Sequence, residues 1–172
     1  MRLILLGYMG SGKSSIGKIL SNTLHVPLID LDEHIVSHEK MSIADIFKDK
    51  GEIYFRRKET EYLSELLLHK DNFILAVGGG TPCYGNNMNI INSNSISIYL
   101  KSSINTIYDR VSNEKNKSKR PLISEIKNND LKEFIAKHLF ERSPYYEKAN
   151  FTIITDHKTQ KEVAEEISSN MQ

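Results

Sequence analysis

The feature that most constrains this chain is Gly7-Tyr8-Met9-Gly10-Ser11-Gly12-Lys13-Ser14, which fits G-x-x-x-x-G-K-[ST]. The pattern has meaning only between a strand and a helix, and both are indicated. Arg2-Leu3-Ile4-Leu5-Leu6 is an apolar run of strand length, and Ile16, Ile19, Leu20 and Leu24 recur at helical spacing over residues 15–24. Such a junction is a phosphate-binding loop. Consecutive backbone N–H groups around a tight turn form a nest for dense negative charge. Gly7, Gly10 and Gly12 tolerate positive φ, which lets the backbone approach phosphate oxygens. The helix beginning near Lys13 directs the positive end of its dipole into the same nest. Lys13 reaches the β- and γ-phosphates, and the Ser14 hydroxyl suits Mg²⁺. Gly10, Ser11, Gly12 and Ser15 complete the expected cradle for the donor nucleotide, ATP.

Four more strands are expected, at 26–29, 73–77, 95–100 and Phe151–Ile154. Between them lie helical patterns at 33–37, 43–50, 52–69, 86–91, Ile104–Val111, 130–146 and 160–169. Ser42 caps the second of these with Asp45 as its partner. In 130–146, Leu131, Phe134, Ile135, His138 and Leu139 fall on one side. Strands alternating with helices predict an α/β fold, a five-stranded parallel sheet with helices on both faces. Right-handed crossovers then bring the loop at 7–14, Asp30 and Asp32, the glycines at 78–80 and the loop after Leu100 to one edge of the sheet. The 172 residues suit one domain spanning 1–172, without linker or repeat.

At that edge, Asp30 and Asp32 leave the end of the second strand, expected beside the first. Residues two apart in an extended chain face one side. One carboxylate then holds Mg²⁺ through water, and the other orients or deprotonates an acceptor hydroxyl, unless one of them only caps the next helix. Arg56 and Arg57 offer a fork for a carboxylate or a plain surface ion pair. Gly78-Gly79-Gly80 marks backbone that something approaches closely. Residues 112–124, polar up to Lys119 and closing on Arg120-Pro121-Leu122, read as a lid that can swing Arg120 over the phosphates. Arg142 is a further anion binder.

Composition limits the partners. The 23 basic and 22 acidic residues leave a net charge of +1, with no overall pull toward nucleic acid or a membrane surface. The lysines at 115–119 lack interleaved aromatics, as in a solvated loop. Cys83 is the only cysteine, which fits a reducing cytoplasm; with no base beside it, it reads as a bystander. No His/Cys spacing suggests a metal beyond Mg²⁺, and no apolar run reaches the roughly 18 residues of a membrane helix. Nothing marks a dimer stripe, so a monomer is expected.

Taken in order, the motifs resemble the shikimate kinase family over nearly the whole chain. They are the loop at 7–14, Asp-Leu-Asp at 30–32, Ser-Ile-Ala-Asp-Ile-Phe at 42–47, Gly51-Glu52 with Phe55-Arg56-Arg57, Val-Gly-Gly-Gly at 77–80, Arg120-Pro121-Leu122 and Arg142-Ser143-Pro144-Tyr145-Tyr146. The resemblance implies a P-loop NTPase fold of the nucleoside-monophosphate-kinase kind, with a mobile lid at about 112–124 and a substrate-binding helical region at about 32–61. It implies ATP-dependent phosphorylation of the 3-hydroxyl of shikimate in aromatic amino-acid synthesis. Asp32 would contact the substrate hydroxyls as base or orienting carboxylate, and Lys13 and Arg120 would stabilise the transferring phosphoryl group. Arg56, Gly79 and Arg142 would bind shikimate, with the arginines on its carboxylate. Ser14 would ligate Mg²⁺, with Asp30 helping through water. The resemblance also places a basic residue near His157 or Lys158. Three other readings stand beside it. One is a kinase for another small hydroxylated acid such as gluconate. Another is a nucleotide-binding module without turnover. The third is a nucleoside monophosphate kinase, for which no base-reading pocket is identifiable.

Overall fold

A computed structural model describes residues 1–69, 71–113, 121–124 and 126–171, and only the backbone of Pro121 and Leu122. The chain runs β1 (Arg2–Leu6), α1 (Lys13–Leu24), β2 (Leu28–Asp30), α2 (Leu31–Glu39), α3 (Ile43–Asp49), α4 (Glu52–Leu68) and β3 (Phe73–Ala76). A 3₁₀ turn (Thr81–Cys83) follows, then α5 (Asn87–Asn94), β4 (Ile96–Lys101), α6 (Ile104–Val111), α7 (Pro121–Ser124), α8 (Asn128–Tyr146), β5 (Phe151–Ile154) and α9 (Gln160–Asn170). The five strands form one parallel sheet in the order β2-β3-β1-β4-β5.

Strand β1 is apolar at Leu3, Ile4, Leu5 and Leu6 because both of its faces are covered. Leu3 and Leu5 join Ile16 and Leu20 of α1 and Val163, Ala164 and Ile167 of α9. Ile4 and Leu6 join Leu63, Leu66 and Leu67 of α4, Ile91 of α5 and Leu131 and Ile135 of α8. Ser42 caps α3 as expected: its hydroxyl accepts the Asp45 N–H at 3.1 Å.

Two expectations are corrected. β2 is not the neighbour of β1; β3 lies between them, so the strand nearest the phosphate loop on that side is the one ending in the glycines. Asp32 is not at a strand end, because α2 begins at Leu31, two residues earlier than expected. The cause is local. The Asp30 carboxylate accepts the N–H groups of Asp32 and Glu33 at 3.0 and 3.4 Å, an N-cap that pulls the chain into helix immediately. The 3₁₀ turn after the glycines and the short α7 were not foreseen.

Candidate active site

The loop 7–14 sits at the C-terminal end of β1. Gly10 and Gly12 have φ of 79° and 99°, which side chains resist, and a Cβ on Gly10 would lie 2.8 Å from Val111 Cγ1. The N-cap of α1 is Gly12, which has no side chain to offer, so the first-turn N–H groups of α1 point into the loop without intrahelical acceptors. Lys13 Nζ donates to the carbonyls of Gly7 (2.8 Å) and Tyr8 (3.1 Å) and so is held over the nest. The Ser11 N–H closes a turn onto the Tyr8 carbonyl and its hydroxyl is buried, so Ser11 shapes the loop. A cleft of about 610 Å³ opens from here, lined by Gly10, Ser11, Gly12, Lys13, Ser14 and Ser15 on one side. The other side carries residues that the sequence did not single out. Arg110 of α6 donates to the Gly10 carbonyl at 3.0 Å, and Thr155 and Gln160 lie beyond it. Of His157 and Lys158, it is Lys158 that lines the cleft.

Asp30 takes the capping role and also lies beside Ser14. Its Oδ1 caps α2, while Oδ2 lies 3.4 Å from the Ser14 hydroxyl. Two oxygen donors side by side, a hydroxyl and a carboxylate, suit a hard cation such as Mg²⁺.

A second site is organised by the three glycines, none of which needs positive φ. Each gives room to a different side chain. A Cβ on Gly78 would lie 3.0 Å from Asp32 Oδ1, one on Gly79 3.2 Å from Arg142 Nη1, and one on Gly80 2.6–2.8 Å from the Arg56 guanidinium. Three side chains from α2, α4 and α8 thus converge on one turn. Arg56 and Arg142, with Gly80, Cys83, His138 and Tyr145, line a second pocket of about 300 Å³. Arg57 is exposed, over the Tyr54 ring, and takes no part. Tyr146 is fully buried, donates to the Gly79 carbonyl at 2.5 Å and hydrogen-bonds Arg142.

Burial pushes the Asp32 carboxyl up to about 6, with help from Asp30 and Glu59 and against Lys13 and Arg56. Glu59 was missed in the sequence. It is 1% exposed, binds Arg56 Nη1 at 2.8 Å through Oε2 and accepts the Thr81 hydroxyl at 2.6 Å through Oε1. Cys83, read as a bystander, lines the second pocket. Burial raises its thiol, so it stays a protonated wall residue. Arg120 and most of the expected lid lie outside the described residues.

A donor cleft with a phosphate loop, a small pocket with two arginines, and a raised carboxyl against the glycine turn that borders that pocket describe a small-molecule kinase. Comparison with known proteins gives the same picture. The family model "Shikimate kinase" matches residues 9–172. Shikimate kinases of Flavobacterium johnsoniae and Flavobacterium psychrophilum are 47% and 44% identical, each alignment covering 96% of both chains. The shikimate kinase structure from Bacteroides thetaiotaomicron superposes with a TM-score of 0.91 at 28% identity, covering 99% of this chain and 98% of that one. The Acinetobacter baumannii shikimate kinase, solved in complex with shikimate, superposes at 0.87 with 30% identity, covering 99% and 92%. On the motifs, the sheet order and these matches together, the chain belongs to the shikimate kinase family.

Proposed function

We propose that the chain transfers the γ-phosphoryl group of ATP to the 3-hydroxyl of shikimate, a step of aromatic amino-acid biosynthesis, through the residues described above. The observation that carries the assignment of roles is the convergence of Asp32, Arg56 and Arg142 on three successive glycines beside the phosphate loop. A small anionic polyol fits such a pocket. The two guanidiniums answer its carboxylate, and Asp32 answers its hydroxyls.

ATP phosphates enter the nest, and Lys13 exchanges the Gly7 and Tyr8 carbonyls for phosphate oxygens. The base and ribose then follow the cleft toward Arg110 and Lys158. Asp32, ionised at neutral pH, takes the proton of the attacking hydroxyl and fixes its direction. Arg56, backed by Glu59, and Arg142, backed by Tyr146, hold the carboxylate so that the hydroxyl meets the γ-phosphorus in line. Ser14 and Asp30 would hold Mg²⁺, which when bound neutralises charge on the β- and γ-phosphates. Arg120 is the proposed cover, on a lid spanning about 112–124, and residues 32–61, essentially α2 to α4, form the proposed acceptor-binding region. We place the enzyme in the cytoplasm, as a monomer of one domain.

The test is ADP release with and without shikimate, with gluconate as the competing acceptor. Release with shikimate and Mg²⁺, and little with either absent, is expected. Release with gluconate alone, or none with any acceptor, overturns the assignment.

Gly80→Ala probes the acceptor pocket. Gly80 has φ −90° and ψ −20°, which alanine adopts without strain, so the new methyl group meets the Arg56 guanidinium first. KM for shikimate is expected to rise roughly tenfold, the loss of one charge-assisted hydrogen bond, with Tm nearly unchanged. An unchanged KM would show that Arg56 is not a substrate contact.

A further inference from the structure

Two residues at the junction of the donor and acceptor sites have no task in the transfer described above. Tyr8, the second residue of the phosphate loop, is 1% exposed. Its hydroxyl lies 3.0 Å from Nδ1 of His138 on α8, and the two rings meet edge to face at 5.6 Å. His138 precedes Arg142 by four residues, so both project from one face of α8, and both line the acceptor pocket. The Arg142 guanidinium lies 5.9 Å from the Tyr8 ring centre. Tyr8 therefore touches both of these pocket residues.

The hydrogen bond between them has a direction. Burial pushes the Tyr8 hydroxyl up to about 12, so it remains a donor. Burial, and then Arg142 and Arg56, lower His138 against the opposing pull of Glu141, so its imidazole is neutral. A neutral imidazole carries one N–H. With Tyr8 O–H donating to Nδ1, that hydrogen sits on Nε2. None of the described residues hydrogen-bonds Nε2, it is not among the fully buried atoms without a partner, and so it keeps accessible surface on a residue that lines the acceptor pocket.

We propose that His138 is an acceptor-binding residue whose Nε2–H donates to the carboxylate of the acceptor between Arg56 and Arg142, with Tyr8 as the positioning residue that holds the ring and sets its tautomer. The proposal rests on the shikimate reading above. A neutral donor suits this place: it adds a directed hydrogen bond to the anion without a third positive charge against two guanidiniums.

Steady-state kinetics on H138A, H138Q, Y8F and the double variant Y8F/H138A test it. H138A is expected to raise KM for shikimate roughly tenfold, with kcat and KM for ATP within about twofold of wild type. H138Q, whose amide reaches the position of Nε2, recovers most of that loss. Y8F raises KM by a smaller factor and adds nothing in the H138A background, because its effect passes through the imidazole. A KM for shikimate within about twofold of wild type in H138A overturns the proposal. So does a joint change of kcat, both KM values and Tm in which glutamine does no better than alanine, since that is packing. A wild-type enzyme that does not turn over shikimate overturns the functional reading and this contact with it. An active wild type with an indifferent H138A overturns the contact alone.

Discussion

Asp32→Asn is expected to lower kcat by roughly 10²–10⁴-fold and to raise the stability of the same protein. Both effects come from where the carboxyl sits. It is wedged against Gly78, in the repulsive company of Asp30 and Glu59, and burial does most to raise it. Its folded-state value of about 6 stands above the ordinary 3.8. Between those pH values the folded chain holds more protons than the unfolded one, so stability falls as pH rises through this window. Above it, the ionised carboxylate costs the folded state about 3 kcal/mol at most, at about 1.4 kcal/mol per pKa unit. Asparagine removes that charge with nearly the same shape. A gain of about 1–3 kcal/mol follows, which is several degrees in Tm for a chain of this size. On the proposed role of Asp32 as base, activity moves the other way, because the base must be ionised to accept the hydroxyl proton. Wild-type kcat/KM for shikimate should fall as pH drops below about 6, and the residual activity of D32N should lack that limb. Thermal melts and pH–rate profiles of the two proteins read this out. D32N turning over at the wild-type rate would remove Asp32 from the role of base. D32N melting earlier would contradict the account of its burial.

The conflict at Asp32 shows how far the residue pattern could carry the reading. The phosphate loop was legible because its chemistry is backbone chemistry: glycines, a lysine and a helix start are written in consecutive residues. The strands were legible because Leu3 to Leu6 and Phe73 to Ala76 are covered on both faces. The order of the strands was not, since a parallel sheet is ordered by its crossovers, and β3 therefore came between β1 and β2 unannounced. The pairing of Asp30 with Asp32 was anticipated for the wrong reason; a helix cap, not an extended chain, sets their geometry. Gly79 was expected to meet substrate, yet what distinguishes Gly78, Gly79 and Gly80 is the three different side chains they admit from distant helices. Glu59 was hidden in Arg56-Arg57-Lys58-Glu59, which looks like a solvated face. One signal could have exposed it: it lies four residues after Phe55 and four before Leu63, a charge on the buried stripe of α4. Arg110 had no such signal, because its approach to Gly10 depends on how α6 docks against the loop.

Glu59→Gln is the second change expected to have a large effect, and comparison with Glu52→Gln shows why. Both glutamates pair with Arg56, Glu52 at 3.4 Å and Glu59 at 2.8 Å. The Glu52 side chain is 66% exposed, and an exposed pair of this kind contributes about 0–1 kcal/mol. The Glu59 side chain is 1% exposed, and its other oxygen is occupied by Thr81. Removing its charge leaves the Arg56 guanidinium, itself only 15% exposed, without its close counter-ion. Breaking a buried pair from one side costs about 3–5 kcal/mol, and the retained amide oxygen places glutamine at the lower end. E59Q is therefore expected to melt well below wild type and, once folded, to show KM for shikimate raised roughly 10–100-fold, because Arg56 is no longer held against Gly80. A third consequence separates this role from packing alone. Glu59 is one of the charges that raise Asp32, so its loss lets Asp32 ionise more easily. The acid limb of kcat/KM should then move to lower pH in E59Q and stay in place in E52Q. If E52Q and E59Q behaved alike in Tm and KM, Arg56 would be a surface residue with two interchangeable partners, and the buried carboxylate would not be what aims it at the acceptor.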